Sequence, residues 1–488
     1  MTHQGIDCIP VEVEVHVSNG LPGIVIVGLP DAAVSESRDR VRSGITNSGF
    51  SFPRTRLTIN LAPAHIRKSG SNFDLPIALG ILQAQGIIES RSDIVAVAEL
   101  ALDGRTRPVS GALIYAHEAI RLGKTIILPS ENKAECAILN SDKVLFAETL
   151  GEVVEYMNTV RALPHAMIKD VVDDEASDVG FSYDEIIGHA LPKRALLIAA
   201  AGGHNVIISG PPGAGKTLLA KALPSILPPM TDTEIVETTK IHSIVNPGVS
   251  SVTQRPFRSP HHLASSPAIL GGGAQLRPGE ISLAHNGVLF LDEFPEFRRD
   301  IIEALREPLE SGIIHITRAA GSVEYPARSM VIAAHNPCPC GAKQGVCVCS
   351  PQSIDRYQRK LSGPMMDRFD IKLFVQSIDP ADLKQKNRSV AMGEMNTAQM
   401  KDIVLRVRMV QQQRGVLNAQ ATIQELEQYV HDVAATQLLD TALHNGLLSM
   451  RGYTKALRLA RTIADIAESS AITTAHVAEA FRLTARAE

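Results

Sequence analysis

Apolar residues recur along this chain with a spacing that changes twice, and each change marks a region. Val11-Glu12-Val13-Glu14-Val15-His16-Val17 alternates strictly and Arg56-Leu57-Thr58-Ile59-Asn60-Leu61 repeats the alternation, which predicts two half-buried strands. Asp31 to Ser48 sets Ala33, Val34, Val41 and Ile45 among arginines as an exposed amphipathic helix, whereas Leu75 to Leu82 predicts a buried helix begun by Pro76. Together they make an α+β domain over residues 1–165. Asp170 to Asp178 is acidic and weakly periodic, so residues 166–184 read as a linker.

From residue 185 to 376, helical segments beginning at Ile187-Gly188-His189 alternate with short apolar strands, the pattern of a parallel sheet covered on both faces. After that, strand signals vanish. Helices are predicted at Ala398 to Arg414, from Leu426 to Tyr429 and beyond, at Thr436 to Leu448, Tyr453 to Ser469 and Thr474 to Arg486, so residues 377–488 form a helical domain. No internal repeat interrupts this order.

Composition changes the picture little. A chain of 488 residues suggests about three domains. Its 44% hydrophobic and 20% charged residues are those of a globular protein, not a disordered one. With a net charge of -4 there is no global basic signature, and any nucleic-acid contact must come from local clusters. No apolar run is long enough to span a bilayer, and Met1 to Asp7 lacks a signal-peptide pattern, so the chain reads as cytoplasmic with no membrane partner.

The candidate chemistry centres on Gly210-Pro211-Pro212-Gly213-Ala214-Gly215-Lys216-Thr217, which follows the apolar Asn205 to Ser209 and leads into a helix at Leu218. Glycines at this spacing let backbone N–H groups turn inward around phosphates, Lys216 reaches the β/γ-oxygens and the Thr217 hydroxyl ligates Mg²⁺. A nucleoside triphosphate, ATP, is the expected ligand. Gly287 to Leu291 is a second apolar strand ending in Asp292 and Glu293, the first to position Mg²⁺ and the second to polarise an attacking water. A third strand, Met330 to His335, ends at Asn336, whose amide suits a sensor beside the γ-phosphate. Arg368, in Met366-Asp367-Arg368-Phe369, lies at a helix-to-strand corner from which it reaches a neighbouring subunit's nucleotide, unless it serves only a surface salt bridge.

In this order, Gly210 to Thr217, Asp292-Glu293, Asn336 and Asp367-Arg368-Phe369 resemble the AAA+ ATPases of the magnesium-chelatase branch. Ala200-Ala201-Gly202-Gly203-His204-Asn205, Asn336-Pro337-Cys338-Pro339-Cys340-Gly341, Val27-Gly28-Leu29-Pro30-Asp31 and Asn60-Leu61-Ala62-Pro63 resemble the ComM (YifB) family of competence-associated helicases over nearly the whole chain. The resemblance implies a multidomain α/β protein: a Lon-protease-like (S5-type) α+β N-terminal domain, an AAA+ P-loop core and a C-terminal helical lid. It implies a homo-hexameric motor acting on single-stranded and branched DNA in homologous recombination and natural transformation, alongside recombination proteins. It also implies a lid arginine touching the nucleotide within its own subunit, Arg451 or its rival Arg458. The alternative from another class is an ATP-driven remodeller of a protein complex. The family's phrases further suggest a shortened start before Gly5.

Four of the six cysteines, Cys338, Cys340, Cys347 and Cys349, fall in one loop over residues 338–349. Four thiolates favour tetrahedral Zn²⁺ in a structural site, with reduced thiols or a redox pair as the alternatives. Ile314 to Pro326 predicts a hairpin with its turn at Ala320-Gly321-Ser322, and the resemblance implies that such a hairpin points into the pore with Arg318 as a phosphate contact, the alternative being a solvent-exposed arginine. Arg255-Pro256-Phe257-Arg258 reads as a single-strand-binding loop, and the adjacent His261 and His262 as side chains that diverge. The turn Lys68-Ser69-Gly70-Ser71-Asn72 departs from the Gly-Pro-Ser-Ala-Gly pattern of active Lon enzymes, which argues against a Ser-Lys peptidase.

Overall fold

Short runs of Val, Ile, Leu and Ala are buried on both faces when they become the inner strands of a parallel sheet, and the centre of this protein is built that way. The computed structural model describes residues 1–488 except 69, 167–180, 274–275, 319–320, 342–346, 378–394, 447 and 485–488. The Asp170 to Asp178 stretch and the interior of the cysteine loop lie outside the described residues.

The N-terminal region carries β1 (Glu12–Ser18), β2 (Gly23–Val27), α1 (Ala32–Asn47), β3 (Arg56–Ala62) and α2 (Asp74–Ala84). β3 lies between β1, antiparallel to it, and β2, parallel to it. Leu57, Ile59 and Leu61 point inward with Val34, Val41 and Ile45 of α1 and most of α2. Asp31 caps α1 by accepting the Val34 N–H at 2.8 Å. α2 begins at Asp74, two residues before the proline expected to open it, and buries that carboxylate against Arg40 at 2.6 Å. A second sheet, β4 (Ile94–Ala96), β5 (Thr125–Pro129) and β6 (Val144–Ala147), is parallel in the order β6-β5-β4.

The central region contains α3 (Ala190–Gly202), β7 (Val206–Ser209), α4 (Lys216–Lys221), α5 (Asp232–Val245), β8 (Phe257–Arg258), β9 (Val288–Leu291), β10 (Ile313–Arg318), β11 (Gly321–Pro326), β12 (Met330–His335), α6 (Pro351–Gln358) and β13 (Ile371–Phe374). Five of these strands form one all-parallel sheet in the order β8-β9-β12-β7-β13. Alternation sorts its side chains: Ile208, Phe290 and Ile332 enter one core, whereas Ile207, Leu289, Leu291 and Val331 enter another on the opposite face. β10 and β11 pair as the expected hairpin, but Gly321 pairs with Arg318, so Gly321 and Ser322 are strand residues and not the turn.

The C-terminal helices are α7 (Thr397–Arg414), α8 (Ile423–Glu427), α9 (Val433–His444), α10 (Met450–Ile466) and α11 (Thr474–Thr484). α8 stops at Glu427, short of the extension expected beyond Tyr429. These helices have no core of their own: Val404, Leu439, Leu457, Ala460 and Val477 share one hydrophobic cluster with α3 and the sheet. The N-terminal region also docks on the sheet domain. Ser243 accepts the Gly111 N–H at 3.1 Å, and the Glu135 carboxylate accepts the Gly248 N–H at 3.1 Å.

Candidate nucleotide site

In a parallel sheet every strand ends on the same edge, so side chains just past the strand ends converge there. β7 runs into the loop Gly210 to Gly215, and α4 starts at Lys216 with Gly215 in the left-handed region at its N-cap (φ 83°). Gly213 is left-handed too (φ 74°) and faces open space, while a Cβ on Gly210 would collide with the Val375 carbonyl oxygen. Side chains are therefore excluded where this loop must turn tightly. Pro211 and Ala214 are buried, Pro212 is exposed with Gly213, and Leu218 is 42% exposed beside the loop.

Lys216 Nζ donates to the carbonyls of Gly210 at 2.6 Å and Pro211 at 3.0 Å, and to Asn336 Oδ1 at 2.9 Å. Burial holds its pKa below the usual lysine range, with Asp292 and Glu293 pulling it partly back. Thr217 Oγ1 donates to Asp292 Oδ2 at 2.9 Å, so two oxygens suited to a hard divalent cation already converge. Asp292 Oδ1 accepts the Glu293 N–H at 2.9 Å, which helps hold Glu293 in the left-handed region (φ 51°), an uncommon conformation for a residue with a Cβ. The structure thus gathers Lys216, Thr217, Asp292, Glu293 and Asn336 at one edge of the sheet.

One partner of this group was invisible in the sequence. His262 Nδ1 lies 3.0 Å from Glu293 Oε2, and the rings of His261 and His262 sit 4.3 Å apart instead of diverging. The loop before them also differs from its reading as a strand-binding surface. Arg255 donates to Glu234 at 3.0 Å and to the Pro228 and Asn286 carbonyls at 2.6 Å, Arg258 pairs with Glu280 at 2.6 Å, and Phe257 stacks on Phe290. These cations are already engaged. Arg318, by contrast, is exposed on the hairpin.

Arg368 stands elsewhere. It precedes β13 and lines a cavity of about 990 Å³ at the edge where the strands begin, together with Asn205, Gly287 and Met330. No residue of the Gly210 to Leu218 loop lines that cavity. A four-residue strand is about 13 Å long, so the two edges are separate sites within one chain. Arg368 donates to the Pro364 carbonyl at 2.8 Å and to Glu310, while its buried Nε has no hydrogen-bond partner among the described residues.

Arg451 and Arg458 line the same cavity. Both arginines come from α10 and stand with Arg368 at the strand-start edge, apart from the Gly210 to Leu218 loop. Arg458 Nε is committed to the Ala421 carbonyl at 2.8 Å, whereas Arg451 is exposed at the first turn of α10. Behind the cavity, buried His204 bridges Asp370 Oδ2 at 3.2 Å and Thr462 Oγ1 at 2.8 Å.

The four cysteines form a second cluster beside the phosphate loop. Their Sγ atoms all lie within 4.8 Å of one another, with Cys338 at 3.5 Å from both Cys340 and Cys347. Tetrahedral zinc with bonds of about 2.3 Å sets sulfurs about 3.8 Å apart, so this donor set fits a thiophilic metal. In the N-terminal region Lys68 Nζ donates to the Pro63 carbonyl and Ser71 Oγ to Glu99, so these two residues do not form a Ser-Lys dyad.

Relatives match this chain over nearly their whole length. The chain is 44% identical over 484 residues to YifB of Salmonella typhimurium, covering 98% of this chain and 94% of that one. The chain belongs to the ComM/YifB family. Its similarity to the competence protein ComM of Haemophilus influenzae is 43% over 487 residues, covering 98% and 95% of the two chains. Residues 182–383 match the family described as magnesium chelatase, subunit ChlI, residues 13–132 the description subunit ChlI of Mg-chelatase, and residues 394–484 the ChlI C-terminal description. The magnesium-chelatase 38 kDa subunit of Cereibacter sphaeroides is 26% identical over 319 residues, covering 61% of this chain and 88% of that subunit. ComM/YifB proteins are thus a magnesium-chelatase-like AAA+ group, and the mixed α/β fold with its parallel sheet agrees. No described helix is long and apolar enough to cross a membrane.

Proposed function

We propose that this chain is one subunit of a homo-hexameric, ATP-hydrolysing DNA motor, a branch-migration helicase serving homologous recombination and natural transformation in the cytoplasm. The observation that carries the reading is the division of the candidate machinery between two edges of one sheet. Lys216, Thr217, Asp292, Glu293 and Asn336 stand at the strand ends, and Arg368 with Arg451 stands at the strand starts, beyond reach of them. A ring places one subunit's strand starts against the next subunit's strand ends. The relative named competence protein ComM supports the DNA-uptake setting.

In this reading Lys216 binds the β/γ-phosphates of ATP while the loop N–H groups surround them. Thr217 and Asp292 would hold Mg²⁺, which when bound neutralises phosphate charge. Glu293 accepts a proton from the attacking water, Asn336 orients that water, and the neighbour's Arg368 and Arg451 offset charge building on the γ-phosphate. The cysteines would hold a structural zinc ion. The N-terminal region takes the Lon-like fold without peptidase chemistry, the C-terminal helices are the lid, and Arg318 on the β10–β11 hairpin faces single-stranded or branched DNA in the pore. Recombination proteins are the expected further partners.

The test is ATP hydrolysis with and without a four-way DNA junction, alongside particle mass with ATP and single-stranded DNA. Stimulation by the junction and a six-subunit particle are expected. The resemblance to the magnesium-chelatase 38 kDa subunit favours a second reading, a motor that remodels a partner protein complex, and a rate indifferent to branched DNA would select it.

A further inference from the structure

A loop that carries a metal cluster usually stands clear of the chemistry, but here it is packed into the wall of the candidate ATP site. Asn336 ends β12, and Cys338 follows two residues later. The Cys338 carbonyl accepts the Gly341 N–H at 3.0 Å, folding the first arm of the cysteine loop into a turn. Gly341 takes φ 69°, and a Cβ there would stand 2.6 Å from Pro212 Cγ and 3.4 Å from Asn336 Cγ. The turn thus presses on the phosphate loop from one side and on the sensor side chain from the other. No other residue type allows that approach. The second arm returns through Cys347 and Cys349 into α6.

Lys216 completes the connection. Its three hydrogen bonds go to Gly210, Pro211 and Asn336, so the residues that hold its ammonium are those flanked by the cysteine turn. Between Cys340 and Cys347 the thiol groups approach to 3.6 Å, which joins the two arms of the loop. A thiophilic divalent metal bound by all four sulfurs would lock both arms together. Loss of the metal releases the arms, and with them Gly341, Pro212 and Asn336.

We infer that the four-cysteine metal cluster is a positioning element of the ATP site: an ion bound by Cys338, Cys340, Cys347 and Cys349 fixes Gly341 against Pro212 and Asn336 and thereby sets the phosphate loop for nucleotide. The inference rests on the nucleotide reading above, and it adds that ATP affinity depends on metal occupancy. It also assigns Gly341 a role that neither phosphate nor metal contact would reveal.

The experiment measures zinc content by mass spectrometry and the Kd of a fluorescent ATP analogue on the full chain in four forms. These are protein as purified, protein stripped with a thiol-compatible chelator, stripped protein reloaded with zinc, and the variant Gly341→Ala. About one zinc ion per chain is expected in the purified form. Stripping should weaken analogue binding by about tenfold or more, the size of a lost charge-assisted hydrogen bond, and zinc should restore it. Gly341→Ala should retain zinc yet bind the analogue about as weakly as the stripped protein, which separates wall geometry from loss of the cluster. Equal affinity in stripped and loaded protein overturns the inference and leaves the ATP reading standing. Failure of the zinc-loaded protein to bind the analogue overturns the ATP reading itself. Purified protein that neither contains nor takes up zinc overturns the metal site, and Gly341→Ala with unchanged affinity overturns the wall contact.

Discussion

The two edges of the central sheet are built on opposite plans. At the strand ends the polar side chains are bonded to one another: Lys216 to Asn336, Thr217 to Asp292, Glu293 to His262. At the strand starts the cations surround an open cavity of about 990 Å³, with Arg368 Nε unsatisfied and Arg451 exposed. One edge is closed by bonds between its polar side chains, whereas the other leaves its arginines around open space. A buried donor without an acceptor costs free energy, and Arg368 Nε is such a donor at the strand-start edge. Under the proposed function, the comparison separates nucleotide binding, assigned to one chain, from hydrolysis, assigned to two.

The sharpest way to break this contrast is Arg368→Ala. Hydrolysis should fall by about 10³-fold or more while the Kd for an ATP analogue changes little, and steady-state ATPase beside equilibrium binding reads both. Mixing Arg368→Ala with Lys216→Ala protein should recover part of the rate, because some interfaces then join two intact edges. An unrescued mixture places both residues in one chain's site. Glu293→Gln should lower kcat by about 10²–10⁴-fold with ATP still bound, which single-turnover kinetics distinguishes from loss of binding. Lys216→Ala should weaken nucleotide binding itself by about 100-fold or more, measured by fluorescence titration. The smallest effect belongs to His262→Ala. Freeing Glu293 from the imidazole 3.0 Å away should raise the DNA-free hydrolysis rate about fivefold, leave Kd unchanged and shrink the stimulation by DNA; a reduced rate would make His262 a helper of Glu293 and not its restraint.

The strand-end edge was far more legible in the sequence than the strand-start edge, and for a physical reason. Gly210 to Thr217 are contiguous, and Asp292 and Asn336 each terminate an apolar run, so the direction of a parallel strand alone predicts where they go. His262 lies 31 positions before Glu293 by the numbering in a loop of irregular backbone, and no periodicity reports such a pairing. The close pair of histidine rings and a left-handed Glu293 exist only once the chain has turned. Arg255 and Arg258 misled because a cation in sequence looks alike whether it meets solvent or a glutamate, and Glu234 and Glu280 are remote along the chain. Arg451 was hard to place for a related reason: α10 was legible as a helix, but the edge of the sheet that it approaches is fixed by tertiary packing. The hairpin turn was displaced because Gly321, a turn residue by composition, fits equally well in the strand that pairs it with Arg318. The N-terminal strands were plain because strict alternation survives folding unchanged.

The shared core of the sheet and the C-terminal helices bears on the order in which the protein is made. α3, which shares a core with Ile208, Phe290, Ile332 and Leu373, packs against α7 and α10, which are translated later than the whole sheet. At about 5–20 residues per second, roughly a hundred further residues take on the order of 5–20 s to appear. During that interval the apolar side of α3 that α7 and α10 later cover is bare. The nascent chain therefore carries its own aggregation hazard through the last part of synthesis, and only the arrival of α10 and α11 ends it.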